Sequence, residues 1–594
     1  MPYVAPVADI LFTLRHAARF EAARAEGLYE LADDLLEAVL AEAGRFATDV
    51  IAPLNPVGDR NPPRFADGEV TTPPGWRDAY RAWAAAGWNG VAAPEAWGGQ
   101  ALPAAVNAAC IEMWNSGSMA FGIGPALTMA GVNTLARYGT EQLKATYLPR
   151  LVSGEWMGTM LLTEPQAGSD VGALRTRAER ASDGSYRLIG QKIFITYGEH
   201  DLTDNIVHFV LARLPDAPGG TKGISLFLVP KFLVGADGRL GARNDIRAQG
   251  MEHKLGIHGS PTLTMVMGDH GGAVGHLVGG ENRGMACMFT MMNEARLTVG
   301  LQGVAVAETA TQQATAYARE RRQGRAVGSP LNGPSAIVAH PDVQRMLLSM
   351  RALTNAARAI CYSTAVAIDR SHRASDAGAR EAALARASLL TPVAKAFSTD
   401  IGAEVASLGI QVHGGMGYIE ETGAAQHYRD ARIAQIYEGA NGIQAVDLVT
   451  RKLPLDDGRA VGAYIDELRG TVAAVSRENH PAFGRTGSRL AEAVESLARA
   501  TGWLIENLDR APETALAGAT PYLRLFGLAS GGCLLAEDAL AALRRASSDF
   551  DAAATRVATS RYFAENLAVQ ASGLERTVTE GADALLYAGA RVLS

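Results

Sequence analysis

The chain has 594 residues, 48% hydrophobic and 20% charged, which is enough to build roughly four domains with large cores and excludes a disordered chain. With 55 basic and 62 acidic side chains the formal charge is −7, which argues against a nucleic-acid-binding face. Four scattered cysteines, Cys110, Cys287, Cys361 and Cys533, form no CxxC, which argues against a disulfide framework or a cysteine zinc site and fits a reducing cytoplasm. The start, MPYVAPVADILFTLRHAARF, lacks a basic segment followed by a long apolar one, so no secretory signal is expected. No stretch of about 20 uninterrupted apolar residues occurs, so no membrane span is expected. GxGxxG, GxxxxGK[ST] and HExxH are missing, which removes support for Rossmann, P-loop and zincin chemistry, and no metal site is expected.

Residues 1–155 read mostly as helix. AEGLYELADDLLEAVLAEAGRFATDVIAPL repeats apolar residues at helical spacing and stops near Pro53. VNAACIEMWNSGSMAFGIGPALTMAGVNTLARYG has no polar face and predicts a helix inside a bundle. Over 156–278 the texture changes to short β-branched runs, YRLIGQKIFITY, IVHFVLARL, ISLFLVPKFL and TLTMVMGD, separated by Gly, Pro and Asp. They predict a mostly antiparallel sheet or small barrel. Over 279–455 the helical period returns, with one long helix over CMFTMMNEARLTVGLQGVAVAETATQQATAYARERR and another over PDVQRMLLSMRALTNAARAICYSTAVAIDR. Residues 456–594 are again helical, with breaks at Pro481, Pro512 and Pro521.

Three stretches carry candidate chemistry. In QVHGGMGYIEETGAAQHYRDARIAQIYEGANGIQ, the glycine-dense turn His413–Gly417 exposes backbone N–H groups that suit a phosphate, although such a turn more often just ends a helix. Glu438 follows, set between Tyr437 and Gly439. It reads either as a solvated helix-end glutamate, the commoner role, or as a base with a raised pKa. In LLTEPQAGSDV, Thr163 and Ser169 flank a bend, where they cap turns or bond a cofactor. In NEAR and YARERRQGR, the cations Arg321, Arg322 and Arg325 are a solvated helix face or a pyrophosphate clamp.

Taken together and in order, LLTEPQAGSDV, QKIFIT, KLGIHGSPT, YARERRQGR, QVHGGMGY and YRDARIAQIYEG resemble the acyl-CoA dehydrogenase family of flavoproteins over residues 40–455, and PEAWGGQALP resembles its N-terminal motif. The tail after 455 and the MPYVAPVADILFTL start resemble its large subgroup with an extra C-terminal helical domain, which includes 3-methylmercaptopropionyl-CoA dehydrogenases. The resemblance implies an α+β fold, mainly α. Its parts are an N-terminal α domain (1–155), a middle β-barrel-like domain (156–278), a C-terminal four-helix bundle (279–455) and an additional C-terminal α domain (456–594).

It also implies that Glu438 removes the α-proton of an acyl-CoA thioester while a β-hydride passes to N5 of FAD, giving a trans-2-enoyl-CoA. The Glu438 backbone N–H would help hold the thioester oxygen, which needs donors as its charge develops. Met160, Leu162, Thr163, Phe194 and Thr196 match the flavin seat, and Ser169 the cofactor phosphates. Arg321 and Gln323 match positions that hold FAD from a neighbouring subunit, and Gln411, Gly414 and Gly415 the segment near its pyrophosphate. Asn293, Arg296 and Gly439 match substrate-side positions. Met160 stands for a frequent aromatic, Phe194 for a frequent Trp, Gly324 for a Phe, and Ala440 for a Thr that would place a hydroxyl near the flavin. Electron-transfer flavoprotein is the implied acceptor, a homodimer the implied assembly, and a short thioether or short-to-medium acyl-CoA the implied substrate. An acyl-CoA oxidase using oxygen, a long-chain dehydrogenase and a non-enzymatic flavin- or CoA-binding protein are the alternatives.

Overall fold

Ser118 interrupts what the sequence presents as one apolar helix. Its backbone is extended and its hydroxyl accepts from Phe121 N at 3.4 Å, so Ala104–Gly117 ends and Met119–Tyr138 starts afresh. In the computed structural model, which describes residues 3–328, 333–545 and 550–593 (without the side chains of 289–291 and 293), such caps decide several boundaries. The expected early helix begins at Asp33, where Asp33 and Asp34 meet the positive helix start, and Glu26–Ala32 stays outside it. Pro521 breaks nothing: it lies in the first turn of Ala519–Arg544, where a missing N–H is harmless. The helices Met119–Tyr138 and Ala519–Arg544 are long and apolar enough by composition to cross a membrane, but most of each is buried within the protein.

The chain forms two compact units, residues 45–103 with 117–295, and residues 1–44 with 104–116 and 296–594. The first holds the strands. A hairpin pairs β1 (Arg64–Ala66) with β2 (Glu69–Thr71), and β8 (Phe232–Val234) pairs with β9 (Leu240–Arg243). The main sheet has eight strands: β3 (Met157–Leu161), β4 (Arg177–Arg180), β5 (Tyr186–Thr196), β6 (Ile206–Arg213), β7 (Ile224–Pro230), β10 (Ile246–Met251), β11 (Thr262–Met267) and β12 (Ala273–Val278). Its order is β10-β11-β5-β12-β7-β6-β3, and β4 pairs with both β5 and β6. Through β4 the strands β5, β12, β7 and β6 close into a ring, which is the barrel character the β-branched runs suggest. The pairing is antiparallel except for β3 and β4 against β6. Buried β6 and β7 read as nearly continuous apolar runs because both faces are covered.

β3, β4, β10 and β12 have no counterpart in the runs picked out by composition. Met157–Leu161 contains Gly158 and Thr159 and is buried at every position, so it shows no alternation.

The second unit is built on long helices, Gly284–Glu320, Pro341–Arg373 and Ala377–His413, joined by Ala424–Ala434 and Asn441–Asp447. The unit boundary falls within the first of these. Residues 456–594 fall within the same compact unit as the long helices. Ala519–Arg544 packs against Pro341–Arg373 and Ala377–His413 within the same unit. Gly527 permits this, because a Cβ there would collide with the Phe397 ring. Likewise a Cβ on Gly402 would sit 2.9 Å from the Gly303 carbonyl, so two helices cross there backbone to backbone.

The bundle interior carries a charged cluster. Arg358 Nε donates to Glu112 at 2.8 Å and Arg358 Nη2 to Glu308 at 2.9 Å, while Tyr362 Oη donates to Glu112 at 2.6 Å. All four side chains are buried.

Candidate active site

In the helical unit, the expected base sits at a forced turn. Helix Ala424–Ala434 ends at Gln435, and Glu438 takes φ +54°, a left-handed conformation that disfavours a side-chain-bearing residue. Gly439 follows at φ +86°, where glycine is the natural choice. A Cβ there would also lie 2.5 Å from Gln444 Nε2.

The carbonyls of this turn are gripped from inside. Gln444 Nε2 donates to the Glu438 carbonyl at 3.2 Å and to the Gly439 carbonyl at 3.1 Å. Lys395 Nζ donates to the Gly439 carbonyl at 2.9 Å and to Asn441 Oδ1 at 2.8 Å. Asn441 Nδ2 donates to Asp400 at 2.7 Å. Tyr437 Oη donates to Gln302. The N–H groups of Glu438, Gly439 and Ala440 donate to no protein acceptor among the described residues. The turn therefore presents spare donors, as an oxyanion site needs.

The Glu438 carboxyl is pushed above the ordinary carboxylate range by burial, and Arg296 and Lys395 pull against that shift. A carboxyl raised in this way is a stronger proton acceptor than a solvated one. Burial draws the Lys395 ammonium down to about 8, against Asp400 and Glu438.

Arg296, expected on the substrate side, has only 4% of its surface exposed, and its Nη1 donates to Asp447 at 3.3 Å. It acts on Glu438 through its charge. The side chain of Asn293 lies outside the described residues.

Gln411, Gly414 and Gly415 come together where Ala377–His413 ends. Gly414 adopts φ +60° and ψ −140°, and a Cβ on either glycine would meet open space. That is a cradle a phosphate can approach. The neighbouring Tyr418 is 87% exposed. Arg321 and Gln323 lie just past the helix end at Glu320, not on a helix face. The segment is fixed because Gln323 N donates to Ser335 O at 3.0 Å and Ile337 N donates to Arg321 O at 2.8 Å.

In the strand unit, Met160, Leu162, Thr163, Phe194 and Thr196 are brought together by β3 and β5. Thr159 Oγ1 donates to Thr196 O at 2.6 Å, and Ile193 N to Thr163 O at 2.9 Å. Phe194 has φ +60° and is 60% exposed, so much of a large ring is uncovered. Such a face suits a planar aromatic cofactor. Ser169 is exposed on the loop that follows.

Sequence reading missed what holds this loop. Lys192 on β5 donates to Leu162 O at 2.9 Å and to Glu164 at 2.8 Å, and Glu164 also accepts from Thr176 Oγ1 at 2.6 Å and Arg175 N at 2.6 Å. Burial alone would raise Glu164; Lys192 and the other donors outweigh it and hold the carboxyl at about 2. Lys192 itself is drawn down to about 8 by burial. Lys192→Met leaves Glu164 buried and unpaired. A destabilisation of about 3–5 kcal/mol is expected, with weaker FAD retention, measured by thermal melts and flavin release. Wild-type values of both would remove this role from the pair.

Residues 34–155, 159–270 and 282–453 match the family models described as acyl-CoA dehydrogenase N-terminal, middle and C-terminal domains, and 464–588 the model described as acetyl-CoA dehydrogenase C-terminal like. The chain is 44% identical over 591 residues to the 3-methylmercaptopropionyl-CoA dehydrogenase of Ruegeria pomeroyi, covering 99% of this chain and 100% of that protein. It is 34% identical over 554 residues to a butyryl-CoA dehydrogenase of Syntrophomonas wolfei, covering 90% and 89%. The crystal structure of an acyl-CoA dehydrogenase complexed with FAD from Bacillus anthracis shares the fold, with TM-score 0.75, 20% identity and coverage of 94% and 90%.

Proposed function

This chain belongs to the acyl-CoA dehydrogenase family, and from that premise we propose that it oxidises a short acyl-CoA thioester to the trans-2-enoyl-CoA with Glu438 as the base. The observation that carries the role of Glu438 is its turn. A carboxyl pushed up by burial stands beside backbone N–H groups that have no protein acceptor. The side chain takes the α-proton while the backbone donors stabilise the thioester oxygen as it gains charge. Arg296 and Lys395 oppose that upward shift and so favour the ionised form, in which the carboxylate accepts the proton.

FAD, when bound, supplies the hydride acceptor. Phe194 and the backbone of Leu162 and Thr163 fit its ring, with Met160 and Thr196 beside them. Ser169 in the strand unit suits its phosphates; in the helical unit the Gln411, Gly414 and Gly415 turn suits a pyrophosphate, and Arg321 and Gln323 fit a cofactor shared across a homodimer. Gly439 and Asn293 are assigned to the substrate side. The domain limits 1–155, 156–278, 279–455 and 456–594 belong to the same reading.

The whole-length likeness to a 3-methylmercaptopropionyl-CoA dehydrogenase supports a short thioether acyl-CoA as substrate. Electron-transfer flavoprotein is the proposed acceptor. Four buried cysteines, none bonded to another, support a reducing, cytoplasmic setting.

Turnover across acyl-CoA lengths, including the thioether substrate, tests the reading. The highest kcat/KM is expected for 3-methylmercaptopropionyl-CoA or butyryl-CoA with electron-transfer flavoprotein, and little oxygen uptake without it. A maximum at long chains, or full turnover on oxygen alone, overturns the substrate or the acceptor assignment respectively.

A further inference from the structure

Lys395 lies on the helix Ala377–His413, far in sequence from the IYEG segment, and no part of its side chain reaches solvent. A buried ammonium is expensive unless it has partners. Its partners here are the Gly439 carbonyl at 2.9 Å and Asn441 Oδ1 at 2.8 Å, both on the turn that carries Glu438. Gln444 Nε2, on the helix Asn441–Asp447 that follows, donates to the carbonyls of Glu438 and Gly439. Two side chains thus fix the two peptide planes after the base, and with them its ψ, while its φ is held at +54°. A residue that bears a side chain keeps such a conformation only where its surroundings enforce it.

The charges around Glu438 are few. Arg296 faces it from Gly284–Glu320 and is itself balanced by Asp447, which also pairs with Arg451 and has Lys452 beside it. Lys395 and Asp400 come from Ala377–His413, and Tyr437 is its neighbour on the turn. With Arg296 shared with Asp447, Lys395 is the cation whose contacts all lie on the turn of the base.

We propose that Lys395 is a positioning residue for Glu438, aiming the base and its backbone donors through Gly439 and Asn441 and supplying positive charge that favours the ionised base. This rests on Glu438 being the base, so Glu438→Gln is measured alongside it.

The test uses FAD-loaded full-length enzyme with butyryl-CoA and 3-methylmercaptopropionyl-CoA. Lys395→Met is expected to lower kcat at least about tenfold with KM changed less than about threefold, because aim is lost and substrate binding is not. The acid limb of kcat is expected to move up by about one pH unit, since loss of a nearby cation makes a carboxylate harder to ionise. Lys395→Arg keeps the charge, and its acid limb is expected at the wild-type pH. Gln444→Leu removes the other grip without changing charge, and should lower kcat while leaving the limb in place.

An acid limb that stays put in Lys395→Met overturns the electrostatic part. Wild-type kcat in both Lys395→Met and Gln444→Leu overturns the positioning part. If Lys395→Met does not hold FAD, Gln444→Leu decides positioning and Lys395→Arg decides charge, a displaced limb in the latter counting against the proposal. Activity retained by Glu438→Gln would instead overturn the assignment of the base.

Discussion

Glu438→Gln is expected to give a folded, yellow protein whose turnover falls about 100- to 10,000-fold, the usual contribution of a positioned general base. Glutamine keeps the shape of the side chain and every hydrogen bond made by the backbone of the turn, so the Gln444 and Lys395 contacts survive. What disappears is a group able to take the α-proton.

Stability gives an independent check with the sign worked out. Burial raises the Glu438 carboxyl in the folded protein, so its contribution favours the fold below the unfolded carboxylate pKa and is lost as pH rises through the raised one. At neutral pH the neutral amide removes that penalty. The variant should therefore melt at the same temperature as wild type or higher. A dead variant that also melts early would show damage to the fold, and an active one would remove Glu438 from the chemistry. Flavin absorbance adds a third readout: substrate should bleach wild type and leave the variant yellow.

The second large effect is expected in the bundle interior, from Arg358→Met. Arg358 stands between Glu112 and Glu308, each fully buried, with Arg358 Nη2 within 2.7 Å of Glu112 and 2.9 Å of Glu308. Its removal leaves two buried carboxylates without the cation that pairs them, and only Arg351 still acts on Glu308 through its charge. Breaking a buried pair this way costs about 3–5 kcal/mol, much of it the penalty of a stranded charge and not the worth of the pair.

The same reasoning predicts rescue. Adding Glu112→Gln and Glu308→Gln to Arg358→Met should recover a large part of the loss, because no charge is then stranded. Urea denaturation of the holoenzyme measures both. A single variant within about 1 kcal/mol of wild type, or a triple variant no better than the single, would contradict this account of the cluster. In the triple variant Tyr362 Oη exchanges its Glu112 carboxylate acceptor for an amide oxygen and so keeps a partner.

How much of this was legible in the chain differs from feature to feature. Glu438, Gly439 and the Gly414–Gly415 turn lie in one short stretch whose glycines and carboxylate have meaning at close spacing, so a motif reveals them. The strands β5, β6, β7 and β11 announce themselves through β-branched runs. β3 does not, because it is buried on both faces and contains Gly158 and Thr159. The break at Ser118 is a single hydroxyl-bearing cap inside an apolar run, and composition alone passes over it.

Lys192, Lys395 and Arg358 escaped for a common reason. Each is an ordinary charged residue within a strand or helix pattern, where a solvated face is the default expectation. Only the folded chain shows that each is fully or almost fully buried, and which distant carboxylate or carbonyl it serves.

The sequence by itself determined the family and the order of helical and strand segments, and it singled out Glu438 as the candidate base, because these depend on local patterning and on residues close together in the chain. Tertiary structure alone decided the left-handed turn at Glu438, the grip of Lys395 and Gln444 on it, the exposure of the Phe194 ring, and the packing of helix Ala519–Arg544 against the long helices. Burial, and the pairing that burial demands of polar groups, arises between segments far apart in the chain, and one-dimensional spacing carries no record of which groups will be shut away from water together.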